Sequence, residues 1–189
     1  WGDLGRVASL KGADVLVLGA GDIGTHFATL CRNMGAHVRG IKRHSLAYPI
    51  VFEDMDGMDA LPERLAEADV VASFLPSTPE TRGLADDAFF AAMKPGAYFA
   101  NGGRGDLVVV DALISALESG HLAGAALDVT DPEPLPAGHP FWDAPNLLVT
   151  PHVSGWFHLD ATLDNVVDIA AENLRHLLAG ETLRCWIEH

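Results

Sequence analysis

Four short segments of the chain carry residue types suited to chemistry. The first, Gly19-Ala20-Gly21-Asp22-Ile23-Gly24, has the G-x-G-x-x-G spacing. Its first glycine permits a tight turn, its second lets backbone approach a pyrophosphate, and its third lets a helix pack closely on a strand. A helix beginning at Asp22-Ile23 would offer unpaired N–H groups and a positive dipole end to phosphates. Asn101-Gly102-Gly103-Arg104-Gly105 contributes a guanidinium. Leu127-Asp128-Val129-Thr130-Asp131-Pro132-Glu133-Pro134-Leu135-Pro136 contributes carboxylates, and Thr150-Pro151-His152-Val153-Ser154-Gly155-Trp156 contributes an imidazole. Taken one at a time, Arg104 suits a surface ion pair, His152 a satisfied loop histidine and Glu133 a solvated loop. Their joint occurrence gives them weight.

A fifth segment bears on the choice of ligand. A site for NAD usually places Asp or Glu about 20 residues beyond the glycine turn, on the adenosine ribose. Here the sequence runs Val38-Arg39-Gly40-Ile41-Lys42-Arg43-His44-Ser45, and no carboxylate follows until Glu53. Lys42 and Arg43 have the charge to pair with a 2′-phosphate, and Ser45 can donate a hydrogen bond to it. A solvated basic loop is the plainer reading. NADP(H) is favoured over NAD(H).

The elements needed to position these segments are legible as a strand–helix alternation. Short apolar runs at Val15–Leu18, His37–Ile41, Val70–Phe74, Tyr98–Ala100, Ala125–Val129 and Leu147–Val149 have the character of strands buried on both faces. Amphipathic stretches at Ile23–Met34, Leu61–Glu67, Ala85–Met93, Val110–Glu118 and Asp160–Leu178 predict helices between them. Met93-Lys94-Pro95-Gly96 and Ser119-Gly120 mark two helix ends. The pattern predicts an α/β fold, a Rossmann-type doubly wound parallel sheet in three α/β/α layers. Every segment singled out above follows a strand, the edge at which open parallel sheets bind ligands. Residues 130–145 break the rhythm with five prolines. A loop of that length inside an α/β domain is usually functional. The whole chain, residues 1–189, reads as one NAD(P)-binding domain.

Composition narrows the partners. Twelve Lys and Arg stand against 26 Asp and Glu, a net charge of −14. Such a surface argues against nucleic acid and anionic membrane as partners. No apolar run approaches the roughly 18 residues of a membrane span, and no signal peptide is evident. Cys31 and Cys185 lie far apart in no metal-ligand spacing, so no metal site is expected and a reducing, cytoplasmic setting fits.

With these motifs assembled, the chain resembles the nucleotide-binding domain of the D-isomer-specific 2-hydroxyacid dehydrogenases, over essentially all of its length. The resemblance rests on the glycine turn and on Leu75-Pro76-Ser77-Thr78-Pro79-Glu80-Thr81-Arg82-Gly83 after the third expected strand. It rests equally on the Arg, Glu and His segments in the family's order. The basic loop at 42–43 is most similar to the glyoxylate/hydroxypyruvate reductase branch that uses NADPH. The resemblance implies hydride transfer between NAD(P)H and a small 2-oxo or D-2-hydroxy acid. It implies His152 as general acid and base, Glu133 as the carboxylate favouring its protonated form, and Arg104 as the cation on substrate carboxylate and carbonyl. Asp128 is similar to the family residue that binds the nicotinamide carboxamide. Pro76 and Thr78 would contact the cofactor, Thr78 at its phosphate–ribose portion. Ser154 and Gly155 would line the same pocket.

The family also carries a substrate-binding lobe, built mainly from residues before the first nucleotide-binding strand. Only Trp1 to Asp14 stand there, so the expectation is that this chain represents the cofactor lobe alone. The tail Leu183 to His189 would then run toward the other lobe. A homodimer is expected, with Leu4, Val7, Leu10 and the stretch from Leu107 to Val110 as contributors. A second class of function, a non-catalytic dinucleotide-sensing protein resembling the family's corepressor-like relatives, keeps the same cofactor site and differs in lacking turnover.

Overall fold

The structure is a computed structural model and describes residues 8–43, 49–155 and 160–185. The chain divides into two compact units, residues 1–151 and 152–189.

The first unit is built on seven strands: β1 (Asp14–Leu18), β2 (His37–Ile41), β3 (Asp54–Asp56), β4 (Val70–Ser73), β5 (Tyr98–Asn101), β6 (Gly124–Leu127) and β7 (Leu147–Val149). All pair in parallel, in the order β3-β2-β1-β4-β5-β6-β7. Alternation along β1 separates two cores. Leu16 and Leu18 join a large cluster with Leu61 and Leu65, Phe89 and Phe90, and Ala112 and Leu113. Val15 and Val17 face a smaller cluster with Ala28 and Cys31. Helices α2 (Leu61–Glu67), α3 (Asp87–Ala92) and α4 (Val110–Glu118) therefore cover one face, and α1 (Asp22–Asn33) lies on the other. This is the expected Rossmann-type three-layer arrangement. At the centre of the larger core, Phe89, Phe90 and Phe99 stack edge to face with centroids 5.3–5.9 Å apart.

Strand β6 runs from Gly124 to Leu127 and so ends two residues before the expected Val129, and two further differences have identifiable causes. Strand β3 is not foreshadowed, because Asp54-Met55-Asp56 has no apolar run. Arg64 stands in for that burial: its Nε donates to Asp56 at 2.6 Å and its Nη2 to Asp54 at 3.3 Å. Helix α3 starts at Asp87 rather than Ala85. Asp86 caps it by accepting the Phe89 N–H at 2.9 Å, while Ala85 forms a bridge with Val108.

Of the stretches suggested for a dimer, Leu107 is fully in the core and Val108 and Val110 pack against it; Val109 alone of the four is exposed. Leu10 packs against the smaller cluster. Leu4 and Val7 lie outside the described residues.

The second unit contains α5 (Asp160–Ala179). After Gly180, in the left-handed conformation that ends the helix (φ +72°), the chain folds back on α5. Asn173 exchanges two hydrogen bonds with the Arg184 backbone, at 2.9 and 2.7 Å, and Arg184 reaches Glu172 at 3.2 Å. Among the described residues no helix is long and apolar enough to cross a membrane.

Candidate functional site at the carboxyl edge of the sheet

Because every strand is parallel, the loops after β1, β2, β4, β5 and β6 leave the sheet along one edge. β1 pairs with β2 on one side and β4 on the other, so the winding reverses between β1 and β4. That switch point is where a doubly wound sheet opens a crevice for ligands.

The glycine turn sits in this crevice. Gly19 has φ +89°, and a Cβ there would lie 3.0 Å from the Phe74 carbonyl, so the turn packs directly on the loop after β4. A Cβ on Gly24 would run into the Gly19 carbonyl oxygen, which is how closely α1 approaches the turn. Gly21, the residue preceding α1, has no heavy atom within 4 Å of its would-be Cβ and no side-chain cap. Gly21, Asp22 and Ile23 are exposed. An open helix N-terminus beside bare backbone fits a pyrophosphate.

The loop after β2 brings Lys42 and Arg43 to the same edge. Arg39, the third basic residue of that stretch, points elsewhere and pairs with Asp14 at 3.5 Å and Glu67 at 3.4 Å. Glu53, the first carboxylate after the turn's Asp22, is likewise engaged, with Arg32 at 2.9 Å and His37 at 3.0 Å. It is held below the ordinary carboxylate range chiefly by the hydrogen bond from His37. Ser45 lies outside the described residues.

Across the crevice, the loop after β4 is knotted by Thr81, whose hydroxyl donates to Pro76 O at 2.6 Å and accepts the Thr78 N–H at 2.9 Å. Pro76 is exposed and Thr78 half-buried. Glu80 in this loop faces Arg43 at 3.8 Å. Its carboxyl is held low first by a hydrogen bond from the Thr78 hydroxyl, then by its own backbone N–H and by the Arg43 charge.

Arg104 follows β5, exposed, with Nη1 donating to Gly103 O at 2.7 Å. Its loop is fixed by Asn101, which is 2% exposed. The Asn101 amide donates to Arg104 O at 2.9 Å and accepts the Gly103 N–H at 3.1 Å. A second clamp ties this loop to the one after β4. Asp106 accepts from Ser77 and, at 3.1 Å, from Arg82, and its carbonyl takes the Gly83 N–H at 2.8 Å. Nothing in the sequence marks Asp106 or Glu80, and little marks Asn101. For Asn101 the signal is an amide ending an apolar strand.

After β6, Asp128 accepts the Thr150 hydroxyl at 2.6 Å. Glu133 turns its carboxylate onto the Thr130 N–H at 2.9 Å within its own proline-rich loop, whose Asp131-Pro132 and Glu133-Pro134 peptides are cis. Trp142 anchors the same loop through Pro136 O at 2.8 Å. The first unit thus brings the glycine turn, Lys42, Arg43, Pro76, Thr78, Arg104, Asp128 and Glu133 to one sheet edge. His152, half-buried with φ +52°, and the exposed Ser154 and Gly155 open the second unit.

Residues 1–154 match the family described as D-isomer specific 2-hydroxyacid dehydrogenase, NAD binding domain. The chain belongs to this family. A glyoxylate/hydroxypyruvate reductase A from Serratia proteamaculans is 37% identical over 169 residues, covering 88% of this chain and 51% of that protein. A D-isomer specific 2-hydroxyacid dehydrogenase from Xanthobacter autotrophicus Py2, solved with NADPH and MES, is 38% identical with a TM-score of 0.84, covering 100% of this chain and 75% of that one. An NADPH-dependent glyoxylate/hydroxypyruvate reductase from Sinorhizobium meliloti, solved with NADP and sulfate, is 30% identical with a TM-score of 0.85, covering 100% and 59%. The chain spans about half the length of the curated relatives it matches. What the family and these likenesses support for the crevice is binding of NAD(P).

Proposed function

We propose that this domain binds NADP(H) in preference to NAD(H) and serves the reduction of a small 2-oxo acid, of the glyoxylate or hydroxypyruvate kind, to a D-2-hydroxy acid. The observation that carries the reading is the adenosine end of the crevice. Two cations, Lys42 and Arg43, follow β2 where an NAD site carries a carboxylate, and the nearest downstream carboxylate, Glu53, is committed to Arg32 and His37. A 2′-phosphate meets a guanidinium and an ammonium there with charge-assisted hydrogen bonds.

The residues then divide the work. Gly19, Gly21, Asp22, Ile23 and Gly24 receive the pyrophosphate with backbone N–H groups and the helix dipole. Ser45, Pro76, Thr78, Asp128, Ser154 and Gly155 complete the cofactor contacts. A bound reduced nicotinamide supplies the hydride taken up by the substrate's carbonyl carbon. Arg104 pairs with the substrate carboxylate and stabilises charge developing on the carbonyl oxygen. His152 gives that oxygen its proton and recovers one in the reverse direction, with Glu133 as the carboxylate favouring the imidazolium.

The test is a fluorescence titration with NADPH and NADH, followed by NADPH oxidation with glyoxylate or hydroxypyruvate. Tighter NADPH binding that Lys42→Asp abolishes, and turnover that falls about 10²- to 10⁴-fold in His152→Ala, are the expected results. Equal affinity for both nucleotides overturns the NADP(H) assignment. Binding without turnover in the complete, two-lobed protein indicates a dinucleotide sensor instead.

A further inference from the structure

The carboxylate of Glu80 bridges the two sides of the switch-point crevice. It projects from the loop after β4 and faces the guanidinium of Arg43 after β2 at 3.8 Å. Arg43 is a group that the 2′-phosphate of a nucleotide would use. Neither Glu80 nor Arg43 is buried, their side chains being 67% and 64% exposed, so the pair is accessible to a competing anion.

We propose that Glu80 sets how strongly the site discriminates for the 2′-phosphate, by holding Arg43 until a phosphate displaces it. The proposal rests on the NADP(H) reading above. A phosphate monoester brings up to two charges and three acceptor oxygens to the guanidinium, against one charge and two oxygens from the carboxylate. NADPH therefore displaces Glu80 at the cost of that ion pair, and its own 2′-phosphate must also sit near the displaced charge. NADH has no group that competes for Arg43 and leaves the pair in place. Singly charged or weakly held anions gain little at Arg43 for the same reason. Glu80 touches no reacting atom; it acts on cofactor choice alone.

The experiment is a pair of titrations, NADPH and NADH, on the wild-type protein and on Glu80→Gln, Glu80→Ala, Arg43→Ala and the Arg43→Ala/Glu80→Gln double variant. Removing the carboxylate is expected to tighten NADPH binding about two- to five-fold, the range of one exposed ion pair, and to leave NADH binding unchanged. In the Arg43→Ala background Glu80→Gln is expected to have no effect. An equal gain for both nucleotides overturns the proposal, because it marks general relief of negative charge. So does a gain that survives in the Arg43→Ala background, an unchanged NADPH affinity, or weaker NADH binding, which would make Glu80 a ribose ligand. A wild-type protein that binds NADH as tightly as NADPH defeats the NADP(H) reading itself. Wild-type discrimination with a silent Glu80→Gln defeats this inference alone.

Discussion

Asn101 shows how much a single amide can hold in place. It is one of two buried polar residues among those described, the other being Ser73, and both end adjacent central strands. Its two hydrogen bonds close the turn that carries Arg104 away from the sheet. Replacing it by Asp keeps the acceptor for the Gly103 N–H and removes the donor to Arg104 O, leaving a buried carboxylate facing a carbonyl. Urea denaturation of Asn101→Asp is expected to show a loss of about 1–3 kcal/mol, the cost of an unsatisfied buried group. If Arg104 binds the substrate carboxylate, KM for the oxo acid rises more than kcat falls. Wild-type stability in the variant would mean the turn does not depend on the amide. At this scale the sequence revealed which segments carry chemistry but not which neighbours hold them. Arg104 is visible by type and motif, whereas Asn101 and Glu80 matter through contacts between residues that only the fold brings together.

Ionic contacts decide the elements that hydrophobic periodicity does not. Strand β3 has two aspartates in three residues and is held at the sheet edge by Arg64, which also reaches Glu67 at 3.0 Å. No apolar pattern announces such a strand, which is why six of the seven strands were legible and this one was not. The segment leading into it is tied by Glu53, which joins α1 through Arg32 and β2 through His37. Its folded-state pKa lies below the reference 4.5, with the His37 hydrogen bond as the largest cause. A depressed carboxylate stabilises the fold above its unfolded pKa and loses that contribution as pH falls through the folded value. The stability gap between wild type and Glu53→Gln is therefore expected to close as pH falls below about 4.5. Thermal melts across that range measure it. A gap that persists at pH 2 would place the effect in packing rather than charge. The same accounting explains Arg39, whose position beside Lys42 and Arg43 in sequence suggests a phosphate site. As a residue inside β2 it is claimed by Asp14 and Glu67, and only the two cations past the strand end reach the ligand edge.

The whole molecule sets a contradiction that the site must resolve, because a chain of net charge −14 is proposed to bind a polyanion. Two terms of opposite sign act on any dinucleotide. Long-range repulsion from the acidic surface opposes binding and is screened by salt, so salt relieves it. Short-range pairing of the 2′-phosphate with Lys42 and Arg43 favours binding, and salt weakens it. NADPH and NADH share the pyrophosphate, the glycine turn and most of the repulsion, and differ by the one phosphate. Their affinity ratio cancels most of the common term and isolates the local one. Raising ionic strength from about 0.01 M to about 0.15 M shortens the Debye length from roughly 30 Å to roughly 8 Å. Over that interval the preference for NADPH is expected to shrink, while NADH affinity holds steady or improves. Lys42→Asp weakens the local attraction and leaves Arg43 as the one cation at the phosphate, so its ratio is expected to start lower and to fall less with salt. Isothermal titration at both ionic strengths gives the four constants needed for each protein. A wild-type ratio that is indifferent to salt would mean that the 2′-phosphate is bound by uncharged donors, and the two cations after β2 would then be no more than a solvated loop on an acidic domain.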